Sequence, residues 1–364
     1  MKIGILEVCS KNHYVLVESW IKVLHYLGHE PILFIDEDVN NLLNKNFNVE
    51  KIIKMKNQSM KSYLKQISSY KVDYLIITSL QSYLIDFLLY FRPSYKFALT
   101  IHNAKTWFLG NKLHKPKNII KRFIRYYFKK KADKFFVSSD NMKKFILNHT
   151  DIKEYNIYVM PFMLNNNMFF HKNTKIKKIV YPGIISTTRK KYDNFFKLAQ
   201  RYENIEFVLL GSPSNNPKEK SKEVINKIKK LNLNNVKYFQ HYLSDEEYQQ
   251  ELKTASLIFS ELRVEFFKED YEEIYGETKD TGISYLMIKY SLPLIVNIEF
   301  KNLHVLDDST LYFSSTDDLY QILEELLNNN TKYKKLLENA IKSSKLFTVD
   351  KVAENLKGFF DEIK

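Results

Sequence analysis

The chain has 364 residues, 45% of them hydrophobic and 15% aromatic, with a formal net charge of +14 and one cysteine. That length suits two compact units rather than one, and the apolar content excludes a disordered or fibrous chain. A single thiol excludes an intrachain disulfide framework or a cysteine-built structural zinc site.

The start, MKIGILEV, runs directly into an apolar strand pattern with no basic n-region and no long apolar h-region. The expectation is a cytoplasmic protein. Through the first half, short apolar runs alternate with longer amphipathic segments, the rhythm of βαβ units and a parallel sheet. KIGILEV, PILFI, DYLIIT, KFALTI, KFFVSS and NIYVMP are the strand candidates. A helix is expected over 15–27, stopped by Gly28. Another contains 143–147 and is entered through Ser138, Ser139 and Asp140, any of which could cap it. The most apolar stretch, 74–91, is broken by Gln81 and Asp86 and reads as a strand followed by a helix rather than a bilayer span.

Near Pro161 the rhythm breaks into a polar, basic connection over 164–167 and 171–178. It restarts with KKIVYPGI, IEFVLLG, VKYFQHY, SLIFS and PLIVN, separated by helix candidates over 195–202, 223–231 and 245–254. The last forty or so residues read as consecutive helices. The fold class is therefore α/β, with two doubly wound, Rossmann-like sheets in tandem. The expected domains span 1–170 and 171–346, with a terminal helix over 347–364.

Ligands of open parallel sheets bind beyond the carboxyl ends of the strands. In the loop after YPGI, Gly183 ends a strand and Ser186, Thr187, Thr188, Arg189, Lys190 and Lys191 precede a helix. Arg189 and Lys190 there could face a diphosphate leaving group; the alternative is a solvated basic turn. The glycine spacing is not that of a P-loop. In GETKDTGISYLMIKYSLPLIV, Thr281, Gly282 and Ser284 stand at a helix start, whose N–H groups and positive dipole end favour a phosphate oxygen. Ordinary capping explains the same residues.

In LTIHNAKTW, His102 and Asn103 follow the fourth strand candidate. His102 could act on an acceptor hydroxyl or orient a sugar, because neutral imidazole both donates and accepts. EVCSKNHY places Ser10, Asn12 and His13 after the first strand, and His13 is the rival general base. Cys9 reads as a small buried residue rather than a nucleophile. Asp36, Glu37 and Asp38 form a literal Asp-x-Asp, read as a solvated turn, and no metal is expected. The acidic run 261–280 reads as a mostly exposed insertion that brings Glu277 near a bound donor.

Together these residues resemble the retaining glycosyltransferases of family 4 and their GT-B relatives, over nearly the whole chain. The resemblance lies in their order: a histidine after the fourth strand, KFFVSSDNMKKFI followed by NIYVMPF, then strand-Gly and Arg-Lys opening the second half. IEFVLLG, NVKYFQHYLSDEEYQQELKTASLIFS and the segment 276–296 complete it. It implies two domains facing across a cleft, the first holding the acceptor and the second the nucleotide sugar, with the last helix crossing back. Arg189 and Lys190, beside Gly183, would meet the donor diphosphate, and Thr281, Gly282 and Ser284 a phosphate or the ribose. His102 would lie at the donor sugar, and 239–243, with His241 and Tyr242, near the nucleobase.

The family's glutamate pair is not reproduced: aligned on Pro293, its positions are Thr278 and Leu286, with Glu277 one place from the first. The function implied is retaining, metal-independent transfer from a nucleotide sugar to a glycan or lipid-linked acceptor, in cell-surface polysaccharide or glycoconjugate synthesis. The donor is a substrate, and no cofactor is expected. The alternatives are a GT-B-type sugar-nucleotide epimerase and a catalytically degenerate sugar-nucleotide-binding scaffold.

The charge is local. Lys112, Lys115, Lys117, Lys121, Arg122, Arg125, Lys129, Lys130, Lys131 and Lys134 face one acid, Asp133, and interleave with Ile119, Ile120, Phe123, Ile124, Tyr126, Tyr127 and Phe128. On a helix this gives a cationic, partly apolar surface suited to anionic headgroups. Peripheral contact with the inner face of the membrane is expected, and nucleic acid is not, since no recognised binding motif accompanies the charge.

Overall fold

The computed structural model describes residues 1–110, 116–165, 175–268 and 271–364. Lys112, Lys115 and the expected domain boundary at 170/171 lie outside the described residues.

The first half is a seven-stranded parallel sheet of β1 (Lys2–Glu7), β2 (Glu30–Asp36), β3 (Glu50–Lys54), β4 (Tyr74–Ile77), β5 (Lys96–Ile101), β6 (Lys134–Val137) and β7 (Ile157–Val159). Its order is β3-β2-β1-β4-β5-β6-β7, with Ile5 in register with both Leu33 and Ile76. The central strands are continuous Ile, Leu and Phe runs because helices cover both faces of the sheet.

The second half contains β8 (Lys178–Pro182), β9 (Glu206–Leu210), β10 (Val236–Tyr238), β11 (Leu257–Ser260), β12 (Glu265–Lys268), β13 (Tyr271–Ile274), β14 (Leu294–Asn297) and β15 (Thr310–Phe313). Six of these make a parallel sheet in the order β10-β9-β8-β11-β14-β15, while β12 and β13 pair as an antiparallel hairpin. Each large sheet reverses its winding once, between β1 and β4 and between β8 and β11. Those two switch points open crevices at the strands' carboxyl ends.

Three elements depart from the sequence expectation. β3 was not expected, because EKIIK is a half-exposed edge strand with no long apolar run; His102 therefore follows the fifth strand of the sheet, not the fourth. β15 is likewise a short edge strand. The acidic run is not mostly exposed: it forms the hairpin and a turn in which Glu273 and Thr278 are fully buried. Contact with the first domain explains that burial, because Glu273 accepts the amide protons of Lys105 and Thr106 across the domain junction.

The last helix, Val349–Glu362, buries Val352, Leu356, Phe359 and Phe360 in the core of the first domain beside Trp20, Tyr74 and Phe136. Phe359 meets Phe136 edge-on at 5.0 Å, and Lys134 closes the seam on Glu362 at 2.7 Å. Each large side chain buried there contributes about 1.5–3 kcal/mol. No helix among the described residues is long and apolar enough to cross a membrane.

Candidate functional site

At the first switch point stands a residue that the motif reading passed over. Glu7 ends β1 and is fully buried. Its Oε1 accepts from the amides of Cys9 (2.7 Å) and Ser10 (3.0 Å) and from the Ser79 hydroxyl (2.8 Å). Its Oε2 accepts from the Thr78 hydroxyl at 2.8 Å and from His13 Nδ1 at 2.8 Å. A buried carboxylate persists when its lone pairs are filled this way. A carboxylate oxygen only accepts, so in this bond His13 donates from Nδ1, which turns Nε2 away from Glu7. The one available signal was an acid, Glu7, set between Leu6 and Val8 in an apolar strand run.

His13 and His102 lie together, ring centroids 4.5 Å apart, with Phe162 edge-on to both. His102 donates from Nε2 to the Thr78 carbonyl at 2.7 Å. Burial, and then the neighbouring His13, hold its pKa well below the ordinary imidazole value. His102 is thus neutral at pH 7, with Nδ1 carrying the lone pair. Cys9 shares this loop; burial, then Glu7, push its thiol up to about 11, so it is not a thiolate at neutral pH.

At the second switch point a cavity of about 250 Å³ is lined by Gly183, Arg189, Lys190, Thr281, Gly282 and Tyr248, among others. Two segments about ninety residues apart in sequence, the loop after β8 and the start of the helix Gly282–Tyr290, meet there. Gly183 is required at its position: its φ is +94°, and a Cβ would stand 3.1 Å from Lys190 Nζ. The Lys190 ammonium is buried, donates to the carbonyls of Pro182 and Gly183 (the latter at 2.9 Å), and lies 4.9 Å from the centre of the Tyr181 ring. Burial, then Arg189, push its pKa down to about 7. Thr281 caps its helix by accepting the Ile283 amide at 3.0 Å.

The two crevices are joined by side chains. Asp280 lines the cavity and accepts from Ser138, from Ser139 at 2.9 Å and from Tyr285 at 2.8 Å. Burial raises its pKa. The Tyr285 ring lies 5.9 Å from Phe162, which touches both histidines. Lys279, also at the cavity, donates to Asn103 at 2.7 Å, and the Ala104 amide donates to the Thr278 carbonyl at 2.8 Å. A run of polar contacts therefore links His102 and its neighbours to the cavity across the domain junction.

The remaining sequence-nominated residues stand elsewhere. Ser284 is buried and donates to Asn302 at 2.7 Å rather than lining the cavity. Glu277 pairs with Lys301 at 2.7 Å, and Glu273, four residues earlier, takes the buried position at the domain junction. His241 and Tyr242 are exposed; His241 lies 3.2 Å from Glu247. Asp36 is not free in a solvated turn: it caps the helix Glu37–Leu42 by accepting from Val39 at 2.9 Å.

No protein-family model matches the chain, and no curated protein sequence matches it. Solved structures match it over essentially its whole length. HepE of Anabaena, in complex with UDP and glucose, superposes with a TM-score of 0.70 at 12% identity, covering 99% of each chain. A glycosyltransferase from Rickettsia africae gives 0.66 at 15% identity, over 100% of this chain and 98% of that one. Sucrose-phosphate synthase from Thermosynechococcus elongatus gives 0.68 at 12% identity, over 100% and 99%. With two parallel α/β sheets, each presenting a switch point, and a last helix returning to the first domain, the chain has the GT-B fold.

Proposed function

We propose that this protein transfers a sugar from a nucleotide-sugar donor to a glycan or lipid-linked acceptor of the cell surface. The observation that carries the reading is the second-domain cavity, where Arg189, Lys190 and the helix start at Thr281 and Gly282 meet around one space. Fixed cations and helix-terminal amides stabilise the diphosphate charge that grows as a glycosidic bond breaks. HepE, a similar fold, is the precedent for UDP and glucose in such a protein.

On the acceptor side, Glu7 orients His13 so that Nε2 can take the proton of an attacking hydroxyl. His102, neutral and fixed by Thr78, stands with its ring 4.5 Å from that of His13 and would serve as a hydrogen-bonding partner for a sugar. Closure of the domains around the donor would limit its hydrolysis. No step requires a metal. The resemblance in sequence order favours retention of anomeric configuration. The Glu7–His13 pair favours a second outcome, inversion, because a base on the acceptor hydroxyl suits direct displacement of the diphosphate from the opposite face. The helix Pro116–Lys131, with cations on an exposed surface and no acid, is the segment that would meet an anionic membrane.

The test is thermal-shift titration with UDP-, GDP-, ADP-, CMP- and dTDP-sugars, since a ligand at about 100 times its Kd adds roughly 2.7 kcal/mol. A selective shift followed by transfer to an acceptor, with the product anomer read by NMR, is the expected result. Conversion of the nucleotide sugar without an acceptor would point to an epimerase, and binding with no turnover to a scaffold.

A further inference from the structure

A second cavity, of about 390 Å³, lies in the first domain between the helices Leu84–Tyr90 and Pro116–Lys131. Tyr83, Ile85, Ile120 and Ile124 give it apolar walls, and Lys117 and Lys121 belong to its lining. The long helix is anchored by Ile124 and Phe128, each 1% exposed, yet presents Ile119, Ile120 and Phe123 outward, the last 60% exposed. The shorter helix does the same with Ile85 and Leu89. Large apolar groups standing in water beside cations mark a contact surface rather than a solvated face.

Two further observations single out this wall of the domain. Tyr83 holds a φ of +56°, an uncommon conformation for a bulky residue, directly at the cavity wall. Backbone strain of this kind concentrates at ligand clamps. The same wall backs onto the loop that follows β1: the Ser82 carbonyl lies 3.8 Å from the Cys9 thiol, and the Cys9 amide is one of the donors to Glu7. One acid, Asp86, also lines the cavity, so a phosphate would sit on the lysine side, away from that carboxylate.

We propose that this cavity binds a membrane-lipid phosphate, with the phosphate on Lys117 and Lys121 and the lipid chain between Tyr83, Ile85, Ile120 and Ile124, beside the loop that carries Glu7 and His13. The proposal rests on the transferase reading and names its acceptor class as lipid-linked. A nucleic acid would leave the isoleucines unused; a chain-bearing phosphate uses both the apolar walls and the cations.

The test is calorimetric titration of the whole protein with dihexanoyl phosphatidic acid below its micelle concentration, against inorganic phosphate. Co-sedimentation with phosphatidylcholine vesicles, with and without phosphatidylglycerol, accompanies it. The lipid phosphate should bind about tenfold or more tightly than inorganic phosphate, and Lys121→Glu or Ile120→Asp should weaken it about tenfold or more. Both variants should keep the wild-type melting temperature and the wild-type response to a nucleotide sugar. Equal affinity for the two phosphates, unchanged lipid binding in Ile120→Asp, or binding of an oligonucleotide without lipid would overturn the proposal. A wild-type protein that binds no lipid phosphate yet responds to a nucleotide sugar sinks the pocket alone. Lipid binding in a protein that answers to no nucleotide sugar sinks the transferase reading alone.

Discussion

The two halves share a topology, but they use their switch points in opposite ways. At the first, between β1 and β4, five donors close on the buried carboxylate of Glu7 and leave a pair of imidazoles fixed beside it. At the second, between β8 and β11, the strand ends are left open around a cavity of about 250 Å³ lined by cations and a helix start. A closed polar cage holds a side chain in one tautomer; an open cationic cavity waits for charge from outside. The same sheet geometry supports either, and the residue type at the strand end decides which.

The largest expected effect comes from emptying the cage. Glu7→Ala leaves buried hydroxyl and amide donors without an acceptor and should cost about 3–5 kcal/mol in urea unfolding. A loss under about 1 kcal/mol would mean that water replaces the carboxylate and the site is open after all. Arg189→Ala attacks the other site in the opposite sense. Turnover should fall about 100- to 1000-fold, while unfolding stability moves by no more than about 0.5 kcal/mol. An equal loss of stability would make Arg189 a structural residue and erase the contrast.

A smaller effect sharpens it through pH. Lys190 in the free protein titrates at about 7, and a diphosphate beside it would restore the charged form, so its pKa in the complex lies higher. Below pH 7 the lysine is charged before and after binding. Above it, binding must take up a proton, and affinity should fall as pH rises, by at most about tenfold per unit. Calorimetric titration in two buffers of different ionisation enthalpy would reveal the proton uptake. No uptake at pH 8 would separate Lys190 from the ligand. The smallest effect belongs to the exposed pair Glu277 and Lys301: Glu277→Gln should change stability by less than about 1 kcal/mol and leave turnover intact. A large loss of turnover would return Glu277 to the reacting centre.

Much of this arrangement was legible in the sequence, unevenly. The buried strands announced themselves as apolar runs, and the helix expected over 245–254 spans Asp245–Thr254, its start closed by a capping box of Ser244 and Glu247. Arg189 and Thr281 were each visible as local signals; that they line one cavity is tertiary information. The edge strands β3 and β15 were hidden because half-exposed strands mix polar and apolar residues. The hairpin Glu265–Ile274 was hidden because its charge suggested solvent, whereas Glu273 spends its carboxylate on a helix start in the other domain. Ser284 shows the converse: a hydroxyl at a helix start suggested a phosphate, but its partner is Asn302. Glu7 was the largest omission, since a lone acid in a strand carries no motif and its partners lie 71 and 72 residues away at Thr78 and Ser79.

Whether the second-domain cavity holds a nucleotide diphosphate is decided by isothermal calorimetric titration of UDP into the wild-type protein and Arg189→Ala. One UDP per chain, weakened about tenfold or more in the variant, is the predicted result. A folded wild-type protein that gives no binding heat with UDP or with the other nucleoside diphosphates, or a variant that binds as tightly as the wild type, would contradict it.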